Sequence, residues 1–346
     1  KRWKSRYRLA KADFNKGHKL ALVLCLVFAV SAGGYIFYNT NVLNKIYTPK
    51  EMEMEAVAFE KKYKPYEHTL QPRVVASDIK LDLFTDTRGF EAIGVYTLKN
   101  KHTQPIDTLF INYQSDADQK YHYQPFVISK PYTTLIDDKH FGVMMIKLQQ
   151  PLQPQDSLDF TFKLRYTQHG FENGTTDMSV VNNGTFINNM LFPSIGYNAD
   201  AELGENVARK KYGLLPKPRM AAISDSLARR NTYISKDADW IRFEATISTS
   251  KDQIAIAPGY LQKEWNQNGR RYFTYKMDSP ILNFYSFLSA RYEVKRDRWK
   301  DVNIEIYYNK GHEYNVDRMI KSIKQSLAYY TRNFSPYQHN QIRIIE

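Results

Sequence analysis

His312 and Glu313, in the stretch YYNKGHEYNVDRM (residues 307–319), are the two residue types that open the His-Glu-x-x-His spacing of zinc hydrolases. On a helix that spacing sets two imidazoles on one face to share a metal, with the Glu beside the bound water. The requirement fails at the second imidazole. Four residues after His312 stands Val316, which has no lone pair for zinc, and His312 itself follows a glycine just before a helix expected to start at Asn315. His312 therefore reads as a turn residue. The histidines stand at 18, 68, 102, 122, 140, 169, 312 and 339, and no two are four apart. Cys25 is the single cysteine and sits in an apolar run, so the rest of the chain has neither a disulfide nor a thiolate nucleophile. The stretches NGRR (268–271) and SIGYN (194–198) lack the spacing and the lysine of a phosphate-binding loop.

The elements that would have to position any chemistry are clearer. The chain has 346 residues, enough for two domains with cores. Its net charge of +13 is unevenly spread: residues 1–19 hold eight Lys or Arg against Asp13 alone. The basic signal is thus mostly local, which argues against nucleic acid as a partner. The cluster abuts LALVLCLVFAVSAGGYIFY (residues 20–38), which carries no charge. As a helix this run is about 28 Å long, close to the thickness of a bilayer core. Five Lys or Arg fall in the 15 residues before it and two in the 15 after, Lys45 and Lys50. Positive-inside bias then implies a basic cytoplasmic segment (1–19), a transmembrane helix (20–38) and an extracytoplasmic remainder, in a bacterial cell the inner membrane and periplasm. The competing readings are a cleaved signal peptide, with Ser31–Gly33 as cleavage region, and a buried soluble helix; the length of the run and the lack of a polar face count against them.

Residues 39–72 read as a linker carrying an amphipathic helix over 48–64. Thr48 and Glu51 form a capping box, Pro49 takes the first helical position, and Met52, Ala56, Phe59 and Tyr63 share a face. Periodicity does not separate a packed helix from a solvated one here. From residue 73 the period is two. SDIKLDLF, DTLFINY, LDFTFKLRY and WIRFEATIS alternate apolar with polar residues, as half-buried antiparallel strands do. NQNGRR (266–271) reads as the turn of a hairpin. The expected fold class is mainly β: an antiparallel saddle or sandwich domain over 73–311, interrupted by an irregular, non-strand insertion over 168–238. Residues 312–346 then give a helix and a strand, the opening of an α/β domain. The chain starts on Lys and closes on IRIIE, a mid-strand pattern, so it is expected to be a fragment of a longer polypeptide.

Five stretches resemble one family: LDLFTDTRGFEAIGVYTLKNKHTQPIDTLFINY, NNGTFINNMLFPSIGYNADAELGENVARKKYGL, ADWIRFEATISTSKDQIAIAPGYLQKEW and SLAYYTRNFSPYQHNQIRIIE, with FEKKYKPYEHTLQPRV ahead of them. They are similar to bacterial proteins in which an ABC-type transporter permease is fused to an extracytoplasmic zinc aminopeptidase of the aminopeptidase N class. The resemblance runs from about residue 50 to the end. It implies a saddle-shaped β domain ahead of a thermolysin-like catalytic domain. It also implies zinc in the full-length parent, bound by His-Glu-x-x-His and a further Glu, with a Gly-x-Met-Glu-Asn loop before them. Neither motif occurs here, so the chain is expected to hold no catalytic residue, no metal ligand and no cofactor, and to be inactive alone.

The family's β domain adds a Gln or Glu for the substrate's α-ammonium, ahead of a Phe-Pro pair. Phe192–Pro193 match that pair, but the preceding pattern is absent, and the substitutes the resemblance offers are Asn188 and Asn189. The other implied partners are the lipid bilayer, the downstream catalytic domain, a peptide substrate and a separate ATPase subunit. A binding or accessory module of a transport system is the alternative function, and a pure interaction module a third.

Overall fold

The computed structural model describes residues 2–115, 120–174, 177–218, 220–226, 228–230 and 237–346. It divides into two compact units, Lys1–Pro49 with His169–Asp177, and Lys50–Gln168 with Met178–Glu346.

In the first unit, α1 (Arg2–Ala12) ends at a short bend and α2 (Lys16–Phe37) begins with Asn15 as its cap, whose side chain accepts from the His18 amide at 3.0 Å. Helix α2 contains no buried residue and continues as a π-helical turn, Tyr38–Leu43. The change of winding has a local cause. The side chains of Asn39, Thr40 and Asn41 each donate back to the carbonyl four residues earlier, at 2.9, 2.9 and 3.2 Å, and so compete with the backbone ladder. The Asn44 amide then donates to His169 O (3.0 Å) and Phe171 O (3.1 Å), while Phe171 packs on Tyr35, which holds this end of the helix against the 169–171 loop. The helical stretch Lys16–Leu43 is long and apolar enough to cross a membrane.

The second unit is mainly β. Its largest sheet contains β1 (Arg73–Phe84), β2 (Gly89–Lys99), β4 (Tyr121–Tyr123), β5 (Val127–Ile128), β8 (Ser157–Thr167), β11 (Ala238–Ser250), β13 (Tyr260–Gln267), β14 (Arg270–Lys276) and β15 (Ile281–Leu282). The path runs β13-β14-β11-β1-β2-β8-β4, with β15 on β11 and β5 on β8. A second sheet orders β10 (Ser194–Ile195), β3 (Ile106–Asn112), β7 (Val143–Leu152) and β6 (Tyr132–Asp138). The third orders β12 (Ile254–Ile256), β16 (Ser286–Ala290) and β9 (Thr185–Asn188). The fourth orders β17 (Tyr292–Trp299), β18 (Val302–Asn309) and β19 (Gln341–Ile345).

The alternation read from the sequence fills one core. Leu158, Phe160, Phe162, Leu164 and Tyr166 from β8 are buried there with Ile241, Phe243, Ala245 and Ile247 from β11, and Ile79, Leu81 and Leu83 from β1. The hairpin falls at Asn268–Gly269, both with positive φ (51° and 75°), the geometry that lets a two-residue turn follow strand twist.

Two features depart from the sequence reading, and a third decides what it left open. β1 and β11 pair in parallel, Ile79 opposite Ala245 and Leu81 opposite Ile247; alternation reports which face is buried and is blind to strand direction. The 168–238 segment is not free of strands, since β9 and β10 lie in it and join two different sheets. Helix α3 (Pro49–Tyr63), which the sequence left open as packed or solvated, buries Val57, Phe59, Glu60 and Tyr63, whereas Met52, on the same helical face as Phe59 and Tyr63, is 55% exposed. The packed part is its C-terminal half. There Tyr63 meets Phe110 edge-on at 5.8 Å and Phe59 stacks on Tyr197 at 5.7 Å. This contact also explains why Phe110 is as buried as its neighbours Leu109 and Ile111: both faces of β3 are covered. After β18, α5 (Val316–Asn333) buries Val316, Ile320 and Leu327 on that strand, and β19 returns parallel to it. This strand–helix–strand sheet begins at Tyr292, inside the range read as β domain.

Candidate binding cleft

A cleft of ≈ 840 Å³ lies where the β domain meets β19. One wall is the turn Ala257–Tyr260 with Trp240, Leu282, Phe284 and Leu288; the other is Tyr337–His339 with Ile342 and Ile345. Its apolar lining is half open: Trp240 is 60% and Phe284 51% exposed. Trp240 stands on the phase of β11 that also carries Arg242 and Glu244, opposite the core residues Ile241 and Phe243, and an aromatic on that polar phase is a sequence signal for this surface.

The two walls are stitched by polar groups of β19 and of Asn340 just before it. The Arg343 guanidinium donates to Ala257 O (2.8 Å), Gly259 O and Gln341 Oε1 (2.9 Å), and lies over the Tyr275 ring. Gln341 also donates to Gly259 O at 2.8 Å, and the Asn340 amide donates to Tyr260 Oη at 3.0 Å. Gly259 is needed at this approach: its φ is +101°, and a Cβ there would lie 2.6 Å from the Lys276 carbonyl carbon. Sequence reasoning did not single out Arg343, Gln341 or Tyr260, because their partners are backbone groups 80 or more residues away: carbonyls for Arg343 and Gln341, and the Asn340 N–H for Tyr260.

Asn188 ends β9 and Asn189 opens the turn that follows it, and neither lines the cleft. Asn188 pairs with Ser286 in the β9–β16 ladder, and its Oδ1 accepts from the Met190 amide at 3.0 Å, capping a one-turn 3-10 helix, Asn189–Leu191. Asn189 is used at both ends of its amide. Nδ2 donates to Asn283 O (2.9 Å) and Oδ1 accepts from the Tyr285 amide (3.3 Å). Together they fix the strand that carries Tyr285, Ser286 and Leu288 into the cleft. The Tyr285 hydroxyl points into the domain to Ser77 Oγ (2.9 Å), and burial pushes its pKa up to about 12, so it stays a neutral hydrogen-bonding group.

His312 flanks a turn, and its Nδ1 pairs with the Glu346 carboxylate, while Val316 is buried under the sheet. Among the described residues no three His, Cys, Asp or Glu converge as metal ligands. The described residues do not fit a zinc site. As an arrangement, the cleft offers apolar surface rimmed by amide and guanidinium groups.

The insertion carries a different cluster. Arg209, on α4 (Asn206–Lys211), makes a two-pronged ion pair with Glu60 of α3, at 2.8 and 2.6 Å. Glu202 lies beside it, taking hydrogen bonds from Lys64 (2.7 Å) and Tyr197 (2.9 Å) and an ion pair from Lys217 (3.2 Å). The Arg209–Glu60 and Lys64–Glu202 contacts link the 197–217 segment to α3 and the turn after it, and those of Tyr197 and Lys217 brace Glu202 within the segment, so this part of the insertion is a packing element.

No family model matches the chain, and no curated protein matches it. Solved structures do. A two-domain M1 zinc metallopeptidase bound to L-tryptophan and the M1 zinc metallopeptidase from Deinococcus radiodurans each superpose with a TM-score of 0.51 at 11% identity, over 80% of this chain. A form bound to L-arginine gives 0.50 at 12%. The chain spans 56% of the length of these neighbours. The mainly β architecture, with its antiparallel sheets, therefore has the fold of the N-terminal region of M1 zinc metallopeptidases.

Proposed function

We propose that this chain is the membrane anchor and non-catalytic β domain of an extracytoplasmic zinc aminopeptidase fused to an ABC-type permease, and that its cleft walls the substrate site. The observation that supports the reading is the fold likeness over 80% of the chain. In this reading zinc and the general base come from the catalytic domain that follows, peptides are the substrate, α2 crosses the inner membrane with its basic end in the cytoplasm, and a separate ATPase chain serves the permease. Residues 40–346, purified, should hold less than about one zinc in ten molecules and leave aminoacyl amides intact, while the full-length polypeptide binds zinc stoichiometrically and cleaves them. Stoichiometric zinc or hydrolysis by residues 40–346 alone would overturn the proposal.

One observation favours the alternative, a binding or accessory module of the transport system. Asn188 and Asn189, the two asparagines that the resemblance offers for a substrate ammonium, have amide atoms already engaged in the fold, and neither supplies the negative charge that a desolvated cation needs. A full-length protein that binds zinc yet leaves every aminoacyl amide intact would decide for it.

A further inference from the structure

Helix α1 carries Arg2, Lys4, Arg6, Arg8 and Lys11 and no acidic residue, and none of its residues is buried. At about 100° per residue, Trp3, Tyr7 and Ala10 fall in one stripe about 60° wide. Lys4, Arg8 and Lys11 flank that stripe on one side and Arg2 and Arg6 on the other. Trp3 is 85% and Tyr7 66% exposed, and with Lys4, Arg8 and Lys11 they line a shallow groove of ≈ 370 Å³. The bend at 13–15 ends this helix independently of the apolar one, because Asn15 restarts the chain as a new cap. Lys16 and Lys19 then extend the positive field to the first turn of α2.

We infer that α1 lies on the membrane surface beside the emerging end of α2, its Lys and Arg side chains on the phosphates of anionic phospholipids and Trp3 and Tyr7 at headgroup depth. The inference rests on reading α2 as a span. Indole and phenol rings favour the polar–apolar boundary, which is where a helix joined to the foot of a span by a short bend is held. Long cationic side chains on both flanks reach outward from that depth, and anionic lipid supplies the complementary charge. A single-stranded nucleic acid would meet the same charges and stack on the rings, but the short bend that joins α1 to an apolar helix of bilayer length favours the membrane surface.

The test uses the full chain in nanodiscs of phosphatidylcholine alone or with about a third phosphatidylglycerol. Trp240, Trp265 and Trp299 are replaced by Phe, so that emission reports Trp3, and acyl chains brominated near the headgroup serve as quencher. Quenching should be at least about two-fold stronger in the anionic discs. It should fall to the neutral-disc level at about 0.5 M salt and in the variant combining K4Q, R6Q, R8Q and K11Q. Equal quenching in both discs, or none in either, from chain that co-isolates with the discs would overturn the surface contact and leave the span standing. Chain that does not co-isolate with discs at all would overturn the span and this inference together. Preferential binding of a short RNA duplex over anionic discs would also overturn it.

Discussion

Arg209 and Glu60 show what burial does to a charge pair. Their side chains are 3% and 6% exposed, and the Glu60 carboxylate raises the affinity of the guanidinium for its proton by direct hydrogen bonding. Removing one partner strands the other away from water. Arg209→Met should therefore cost about 3–5 kcal/mol in urea unfolding, and a double variant with Glu60→Leu should recover much of it. Glu202 carries the acid dependence of the same cluster. Burial raises its pKa, but hydrogen bonds from Lys64, Tyr197 and Lys217 outweigh burial and hold it below the usual carboxylate value. A depressed folded-state pKa contributes stability that is present above the unfolded value, about 4.3, and is lost as pH falls through the folded one. Thermal melts of the protein should be flat from neutrality to about pH 5 and then fall. Glu202→Gln should lower the neutral plateau and flatten the acid limb. None of this was legible in the sequence, where Arg209 is one of three consecutive basic residues and only the fold chooses which of them is buried.

At the scale of elements, α3 separates pattern from packing. Helical spacing put Met52, Phe59 and Tyr63 on one face, and of these Phe59 and Tyr63 are buried and Met52 is exposed, because a helix buries only the part of its stripe that a partner covers. The partner is the outward face of β3, recognisable in retrospect from Phe110 standing between two other apolar residues where strict alternation would place a polar one. Phe59→Ala should destabilise the chain by about 3–5 kcal/mol, against less than about 0.5 for Met52→Ala, measured by the same denaturant titration. Similar costs for the two would mean that α3 does not dock as described. The short strands β9 and β10 were missed for a related reason. Four and two residues are too few to show a period, and their ladder partners, β16 and β3, are remote in sequence.

For the whole molecule, the division is between an apolar rod and a β body. Lys16–Leu43 is a helix with the length and composition of a span. The full chain should stay with membranes through alkaline carbonate extraction, and residues 40–346 should be released as soluble protein. Release of the full chain would contradict the anchor. The cleft belongs to this scale as well. Its walls come from β11, the 257–260 turn, the segment around Phe284 and β19, and no short stretch of sequence contains two facing sides.

The sequence by itself determined the apolar run, the mainly β class, the hairpin at Asn268–Gly269 and the phase of each long strand, because these depend on residue types a few positions apart and on local backbone preference. Tertiary structure alone decided the parallel pairing of β1 with β11, the stitching of Arg343 across the cleft, the choice of Arg209 for burial and the structural employment of Asn188 and Asn189. Each of these depends on which distant backbone or side-chain group arrives opposite. Side-chain periodicity records burial, and it carries no information about the partner.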